Sequence, residues 1–129
     1  MDFLGKQPKT RTSTTARGQL AEDAALAQLQ KQGLKLVERN YRTPGRGGGE
    51  IDLILRERDG SLVFVEVRSR STAEFGGAGG SIGAIKQQRI VLAARHYLMR
   101  FAAPPPCRFD VVLVQGQTLE WLKAAFDAG

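Results

Sequence analysis

The segment EIDLILRERDGSLVFVEVR, residues 50–68, decides the fold, because two mainly apolar runs flank the turn residues Arg58-Asp59-Gly60. This pattern predicts a β-hairpin with strands at Ile51–Glu57 and Ser61–Arg68. A two-residue loop would set apolar side chains opposite polar ones along the ladder. A three-residue loop pairs Leu53 with Val65 and gives Gly60 the left-handed conformation that such loops require. Because alternation fixes the register where a face is buried, we predict the three-residue loop.

The predicted register brings two acidic side chains together. Asp52 lies directly opposite Glu66, on the face that also carries Ile54 and Phe64. Like charges in this position are destabilising, and a helix over this face would limit screening by water. Either one carboxyl group takes up a proton at raised pKa, or a divalent cation lies between the two. An ordinary hairpin with a charged rim explains the residue types equally well.

The neighbouring residues on this face suggest a chemistry for a bound cation. Glu50 and Arg68 lie two residues further along the same face. A metal ion polarises a phosphoryl oxygen and lowers the pKa of a water molecule, while a nearby positive charge stabilises the transition state. The hypothesis is therefore phosphodiester hydrolysis, with Asp52, Glu66, Arg68 and Glu50 as the candidate catalytic residues.

The remaining sequence predicts a mixed sheet with helices on its faces, in a single domain over residues 14–129 that follows a flexible basic arm over 1–13. The predicted elements outside the hairpin are helix Thr15–Gln32, strand Leu34–Tyr41, a glycine-rich loop at 71–81, helix Ile82–Phe101, strand Phe109–Val114 and a short closing helix at Leu119–Phe126. The fold class is therefore α/β.

Composition limits the classes of function. The chain has 129 residues, of which 42% are hydrophobic, and a net charge of +6. Its one cysteine excludes an intrachain disulfide, and the sequence has neither a signal-peptide core nor a membrane span, so we expect a cytoplasmic protein. The positive charge favours polyanions such as nucleic acid, membranes or acidic partners. Candidate phosphate contacts are Arg42, Arg46, Lys86 and Arg89, although a solvated basic face explains them equally well.

The hairpin also carries a family resemblance. Residues 49–54, GEIDLI, and residues 62–70, LVFVEVRSR, resemble the signature of the YraN-type family of bacterial proteins. Those proteins look like members of the restriction-endonuclease-like superfamily, close to archaeal Holliday-junction resolvases. The other matching positions are Gly18, Glu22-Asp23-Ala24, Asn40-Tyr41-Arg42, Phe75-Gly76, Lys86-Gln87, Arg89 and Arg108-Phe109-Asp110-Val111. The resemblance covers nearly the whole chain from residue 17.

The resemblance implies an αβββαβ core and a nuclease that acts on DNA, including branched or junction DNA, with Mg²⁺ or Mn²⁺. It implies that Asp52 and Glu66 bind the metal together with the backbone carbonyl of Val67. Glu22 maps onto a helix glutamate that reaches the metal in related resolvases. A homodimer is compatible with this reading.

Arg68 departs from the family pattern, which usually has lysine at this position. An arginine supplies positive charge, but its pKa above about 12 prevents it from acting as a base. The sequence therefore leaves a second hypothesis open, a nucleic-acid-binding protein of the same fold with impaired turnover. A third hypothesis is a subunit that uses its basic surface to bind an acidic protein.

Overall fold

The computed structural model describes residues 12–45, 47–69 and 82–128. The described chain is a mixed α/β structure, as the sequence predicts. Its elements are α1 (Thr12–Lys31), β1 (Lys35–Arg42), β2 (Glu50–Arg56), β3 (Leu62–Ser69), α2 (Ala84–Leu98), β4 (Cys107–Gln115) and β5 (Thr118–Phe126). The predicted αβββαβ core is therefore confirmed.

The five strands form one sheet in the order β1-β2-β3-β4-β5. β3 and β4 are parallel, and the other neighbouring pairs are antiparallel. A parallel pair needs a crossover connection, and α2 lies in the segment that joins these two strands. The crossover places α2 next to the hairpin predicted to carry the site.

A helix packs on each face of the sheet. Apolar side chains on the α1 face include Ala25, Leu29, Leu53, Val65 and Val112. Those on the α2 face include Ile54, Phe64, Ile90, Tyr97 and Phe109. Alternate residues of the central strands thus enter opposite cores, which is the period-two pattern expected when both faces of a sheet are covered.

The hairpin has the predicted three-residue loop. Leu53 pairs with Val65 and Leu55 with Val63, so the register is the one predicted from side-chain alternation. Gly60 has a φ of 93°, a conformation that costs glycine little because it has no Cβ. The Asp59 carboxylate accepts a hydrogen bond from the Ser61 N–H and fixes the turn.

The predicted closing helix at Leu119–Phe126 is wrong, because these residues lie in strand β5. The residues between β4 and β5 form a two-residue turn, in which Gly116 has a φ of 60°. This turn sends the chain back along β4, where Val112 pairs with Trp121. Backbone pairing and the packing of Trp121 against the α1-side core outweigh the helical propensity of the Leu, Lys and Ala residues.

The other predicted elements are shifted at their ends. The hairpin strands each differ from the predicted ranges by one residue at each end. Helix α1 begins three residues earlier than predicted, within the proposed arm. Helix α2 ends at Leu98, and the predicted final residues through Phe101 instead form tighter turns onto the carbonyls three residues earlier. The predicted loop at 71–81, residues 1–11 of the arm and Arg46 lie outside the described residues.

Candidate acid-pair site and basic cleft

The candidate site lies where the backbone pairing of β2 and β3 ends. The sequence predicts a ladder that continues through Ile51 and Asp52, but the observed pairs run only from Leu53 to Arg56. Beyond them Ile51 enters the α2-side core instead of sharing a face with Leu53. The Val67 N–H donates a hydrogen bond of 2.8 Å to Asp52 Oδ2. The Asp52 side chain thus replaces a backbone acceptor at the point where strand pairing ends.

The carboxyl groups of Asp52 and Glu66 are neighbours at this opening, and each affects the ionisation of the other. Burial raises the pKa of Asp52 from 3.8 to about 7, and the charge of Glu66 adds to this rise. Burial also raises the pKa of Glu66, against the opposing effect of Lys86 and, to a smaller extent, Arg68. The sequence-predicted juxtaposition of the two acids is therefore present, and a shared proton or a cation would stabilise it.

Lys86 forms an ion pair with one member of the acid pair. It lies in the first turn of α2, and its Nζ is 3.4 Å from Glu66 Oε2. The sequence assigned Lys86 to a phosphate contact, and its contact with the acid pair was not predicted. The helical pattern of α2 contains no signal that would identify the strand residue opposite Lys86.

Glu22 faces the same region from α1. Its side chain is only 15% exposed, and burial raises the pKa of its carboxyl, followed in importance by the charge of Asp52. Oε1 accepts hydrogen bonds from Arg39 Nη2 at 3.3 Å and Asn40 Nδ2 at 3.1 Å. Glu22 therefore lies against the sheet and does not project into solvent.

Arg39 and Asn40, which hold Glu22, were not predicted to belong to the site. Asn40 has a φ of 53°, a conformation in which asparagine is several-fold enriched among residues other than glycine. An asparagine within a predicted strand was the available sequence signal for this irregular backbone conformation. Arg39 forms a second ion pair with Asp23, at 2.9 Å, and gave no comparable signal.

Glu50 and Arg68 lie at the rim of the acid pair. The Glu50 side chain is 41% exposed, and its Oε1 is 3.7 Å from Arg42 Nη2. Arg68 is partly buried, and its charge acts on Glu66. The charge of Arg68 thus acts on the pair itself, whereas the charge of Glu50 acts on Glu22 and its side chain lines the neighbouring cleft.

A cleft of about 340 Å³ opens beside the pair. Its lining residues are Arg42, Thr43, Gly45, Gly47, Gly48, Gly49, Glu50, Lys86 and Arg89. The cleft therefore brings together three of the four predicted phosphate contacts. The fourth, Arg46, lies outside the described residues.

Two features of the sequence shape this cleft. The Thr43 side chain accepts a hydrogen bond of 2.8 Å from the Gly49 N–H, and the two backbones are joined by a further bond from the Thr43 N–H to the Gly49 carbonyl. Gly49 also lies against helix α2, because a Cβ at this position would be 1.8 Å from the Arg89 carbonyl oxygen. Glycine at 49 therefore allows α2 to approach the start of β2.

The donor set fits a hard divalent cation that completes its coordination with water or substrate. Asp52 and Glu66 provide carboxylate oxygens, and Mg²⁺ commonly uses one or two carboxylates together with substrate phosphates. Within residues 12–45, 47–69 and 82–128, no group of three Asp, Glu, His or Cys side chains is close enough to form a complete protein site. The role of Glu22 and of the Val67 carbonyl as further ligands stays a prediction.

The fold and the site define a mixed α/β protein with an acid pair at the open end of a hairpin and a basic cleft beside it. The model of the family described as "Uncharacterised protein family UPF0102" matches residues 21–114. The chain belongs to this family, and the resemblance to YraN-type proteins is confirmed. Among the described residues, no helix is long and apolar enough to span a membrane.

The relatives match over almost their whole length. A UPF0102 protein of Acidovorax sp. (strain JS42) is 67% identical, over 99% of this chain and 99% of the relative. A UPF0102 protein of Paracidovorax citrulli (strain AAC00-1) is 70% identical, over 92% of this chain and 88% of the relative. A UPF0102 protein of Verminephrobacter eiseniae (strain EF01-2) is 63% identical, over 99% of this chain and 97% of the relative.

Proposed function

We propose that the protein is a metal-dependent nuclease that hydrolyses phosphodiester bonds in DNA, including branched or junction DNA, with Mg²⁺ or Mn²⁺ at Asp52 and Glu66. The observation that carries this proposal is the interacting acid pair of Asp52 and Glu66 beside a cleft lined by three basic side chains. A cation site next to a phosphate-binding surface is the arrangement that metal-assisted phosphodiester hydrolysis requires.

In this mechanism the protein residues have separate tasks. Asp52 and Glu66 hold the cation, and the Val67 N–H orients the Asp52 carboxylate. When bound, the cation supplies polarisation of a phosphoryl oxygen and a water of lowered pKa. Arg42 and Arg89 bind phosphate groups in the cleft, and the charge of Arg68 helps to offset the negative charge of the transition state.

The direct test is cleavage of linear and four-way-junction DNA by the purified protein, with Mn²⁺ and with chelator. We expect metal-dependent products, and we expect Asp52→Asn to abolish them because it removes a charged ligand. Asp59→Asn is a matched control, since Asp59 lies in the exposed hairpin turn and not at the pair. Cleavage by Asp52→Asn at the wild-type rate would contradict the proposal.

The second candidate function is nucleic-acid binding without turnover. The observation that favours it is Arg68, because a guanidinium does not act as a base at neutral pH. This candidate predicts salt-dependent DNA binding with no products. Metal-dependent cleavage that appears only in Arg68→Lys would favour it over the nuclease. Absence of binding to DNA and RNA at low salt would instead favour a protein partner.

A further inference from the structure

Lys86 contacts two parts of the site. Its side chain is half exposed, with Nζ 3.4 Å from Glu66 Oε2 at the acid pair. The same side chain lines the cleft together with Arg42 and Arg89. The Lys86 side chain therefore lies between the negatively charged acid pair and the positively charged cleft.

The acid pair attracts a cation and the cleft attracts an anion. Either ligand favours movement of the Lys86 ammonium group away from Glu66 and towards the cleft. A divalent cation at Asp52 and Glu66 repels the ammonium group and replaces it as their counter-charge. A phosphate in the cleft attracts the same group away from Glu66. Four rotatable bonds and one point charge allow lysine to exchange partners without movement of the helix backbone.

We propose that Lys86 couples the cleft to the acid pair, so that a nucleic-acid phosphate and a divalent cation bind cooperatively. The inference rests on the proposed function, since it requires both ligands. In the absence of nucleic acid Lys86 competes with the cation for Glu66, and bound nucleic acid removes this competition. Because coupling between binding sites is reciprocal, the cation tightens nucleic-acid binding by the same factor.

Two binding measurements test this inference without the use of activity. The affinity for Mn²⁺ alone is measured by electron paramagnetic resonance of the free ion. The affinity for a fluorescent 12-nucleotide single-stranded DNA is measured by anisotropy at pH 8 with Mn²⁺ and with chelator, and gels confirm that the DNA is intact. For the wild type we expect Mn²⁺ to tighten DNA binding about tenfold, which is within the usual range of coupling between sites.

The variant Lys86→Met removes the charge and keeps a side chain of similar length. We expect it to bind Mn²⁺ alone roughly threefold to tenfold more tightly than the wild type, because the competing charge is absent. We also expect the effect of Mn²⁺ on its DNA affinity to fall to about threefold or less. Lys86→Arg keeps the charge and should retain most of the coupling.

Arg89→Met is the matched control. Arg89 also lines the cleft from α2, but in the part of the chain that the structure describes it forms no ion pair with Asp52 or Glu66. This variant should weaken DNA binding in chelator, leave the affinity for Mn²⁺ alone unchanged and retain most of the coupling. Circular dichroism and a thermal melt establish that each variant is folded.

The results separate this inference from the proposed function. The inference is wrong if Lys86→Met keeps the wild-type coupling, or if it binds Mn²⁺ alone no more tightly than the wild type. Wild-type protein that binds Mn²⁺ and DNA independently would overturn the coupling alone. Wild-type protein that binds neither ligand would overturn the proposed function and the coupling together.

Discussion

Replacing Asp52 with asparagine should stabilise the metal-free protein above neutral pH. Burial raises the pKa of Asp52 from 3.8 to about 7 in the folded state. Between these values the folded state binds more protons than the unfolded state, so the free energy of unfolding falls as the pH rises. Asparagine does not titrate, and its carbonyl oxygen can still accept the Val67 N–H. From the pKa difference, the advantage of Asp52→Asn over the wild type should grow by about 3 kcal/mol between pH 4.5 and pH 8.

Urea denaturation at the two pH values, in the presence of chelator, measures this difference. Asp59→Asn controls for the loss of one negative charge, and we expect no comparable gain at pH 8 because Asp59 is exposed. Addition of Mn²⁺ at pH 8 should stabilise the wild type and not Asp52→Asn, since a ligand stabilises the state that binds it. An Asp52→Asn variant no more stable than the wild type at pH 8 would refute the assignment of a destabilising acid pair.

Two further changes test the framework that holds the site. Gly49→Ala should lower the free energy of unfolding by about 2–3 kcal/mol in urea denaturation, since its Cβ would be 1.8 Å from the Arg89 carbonyl oxygen. Gly18→Ala in α1 is the control, because the added Cβ would have no atom within 4 Å, and it should stabilise the protein by about 0.5–1 kcal/mol. Equal effects of the two substitutions would contradict the close packing of α2 against Gly49. Asp110→Asn should cost about 2–4 kcal/mol in the same assay because it removes the charge of a fully buried carboxylate that pairs with Arg108. Trp121→Phe removes one of the hydrogen bonds to Asp110 and should cost less, and the reverse order would contradict this account.

The hairpin could be predicted because its register depends on local alternation. Pairing Leu53 with Val65 buries apolar side chains on both strands, whereas a shift of one residue would not. The end of the ladder depends on tertiary packing, since Ile51 leaves the strand pattern to join the core under α2. The last element was mistaken for a helix because propensity was weighed without the turn at Gly116, which directs the segment back along β4.

The same distinction applies to the candidate site. Asp52 and Glu66 were predicted because the hairpin sets them opposite each other, and their carboxyl groups do interact. The contact of Lys86 with the pair depends on the position and rotation of α2 over the sheet, which its own sequence does not determine. Arg39 is likewise 17 residues from Glu22, so their contact follows from the packing of α1 on the sheet.

A second acid in the same molecule indicates that the Asp52–Glu66 pair is not a requirement of the fold. Asp110 is completely buried, but its oxygens accept hydrogen bonds from Arg108 Nε, Trp121 Nε1 and the Ala124 N–H. This is how a protein stabilises a buried carboxylate for structural purposes, with donors directed at both oxygens. Asp52 instead accepts one backbone hydrogen bond, from the Val67 N–H, and has a second carboxyl group as its neighbour, at a position where burial already disfavours its charge. We expect an amide side chain there to cost the fold less, and this expectation supports the proposed cation at the pair.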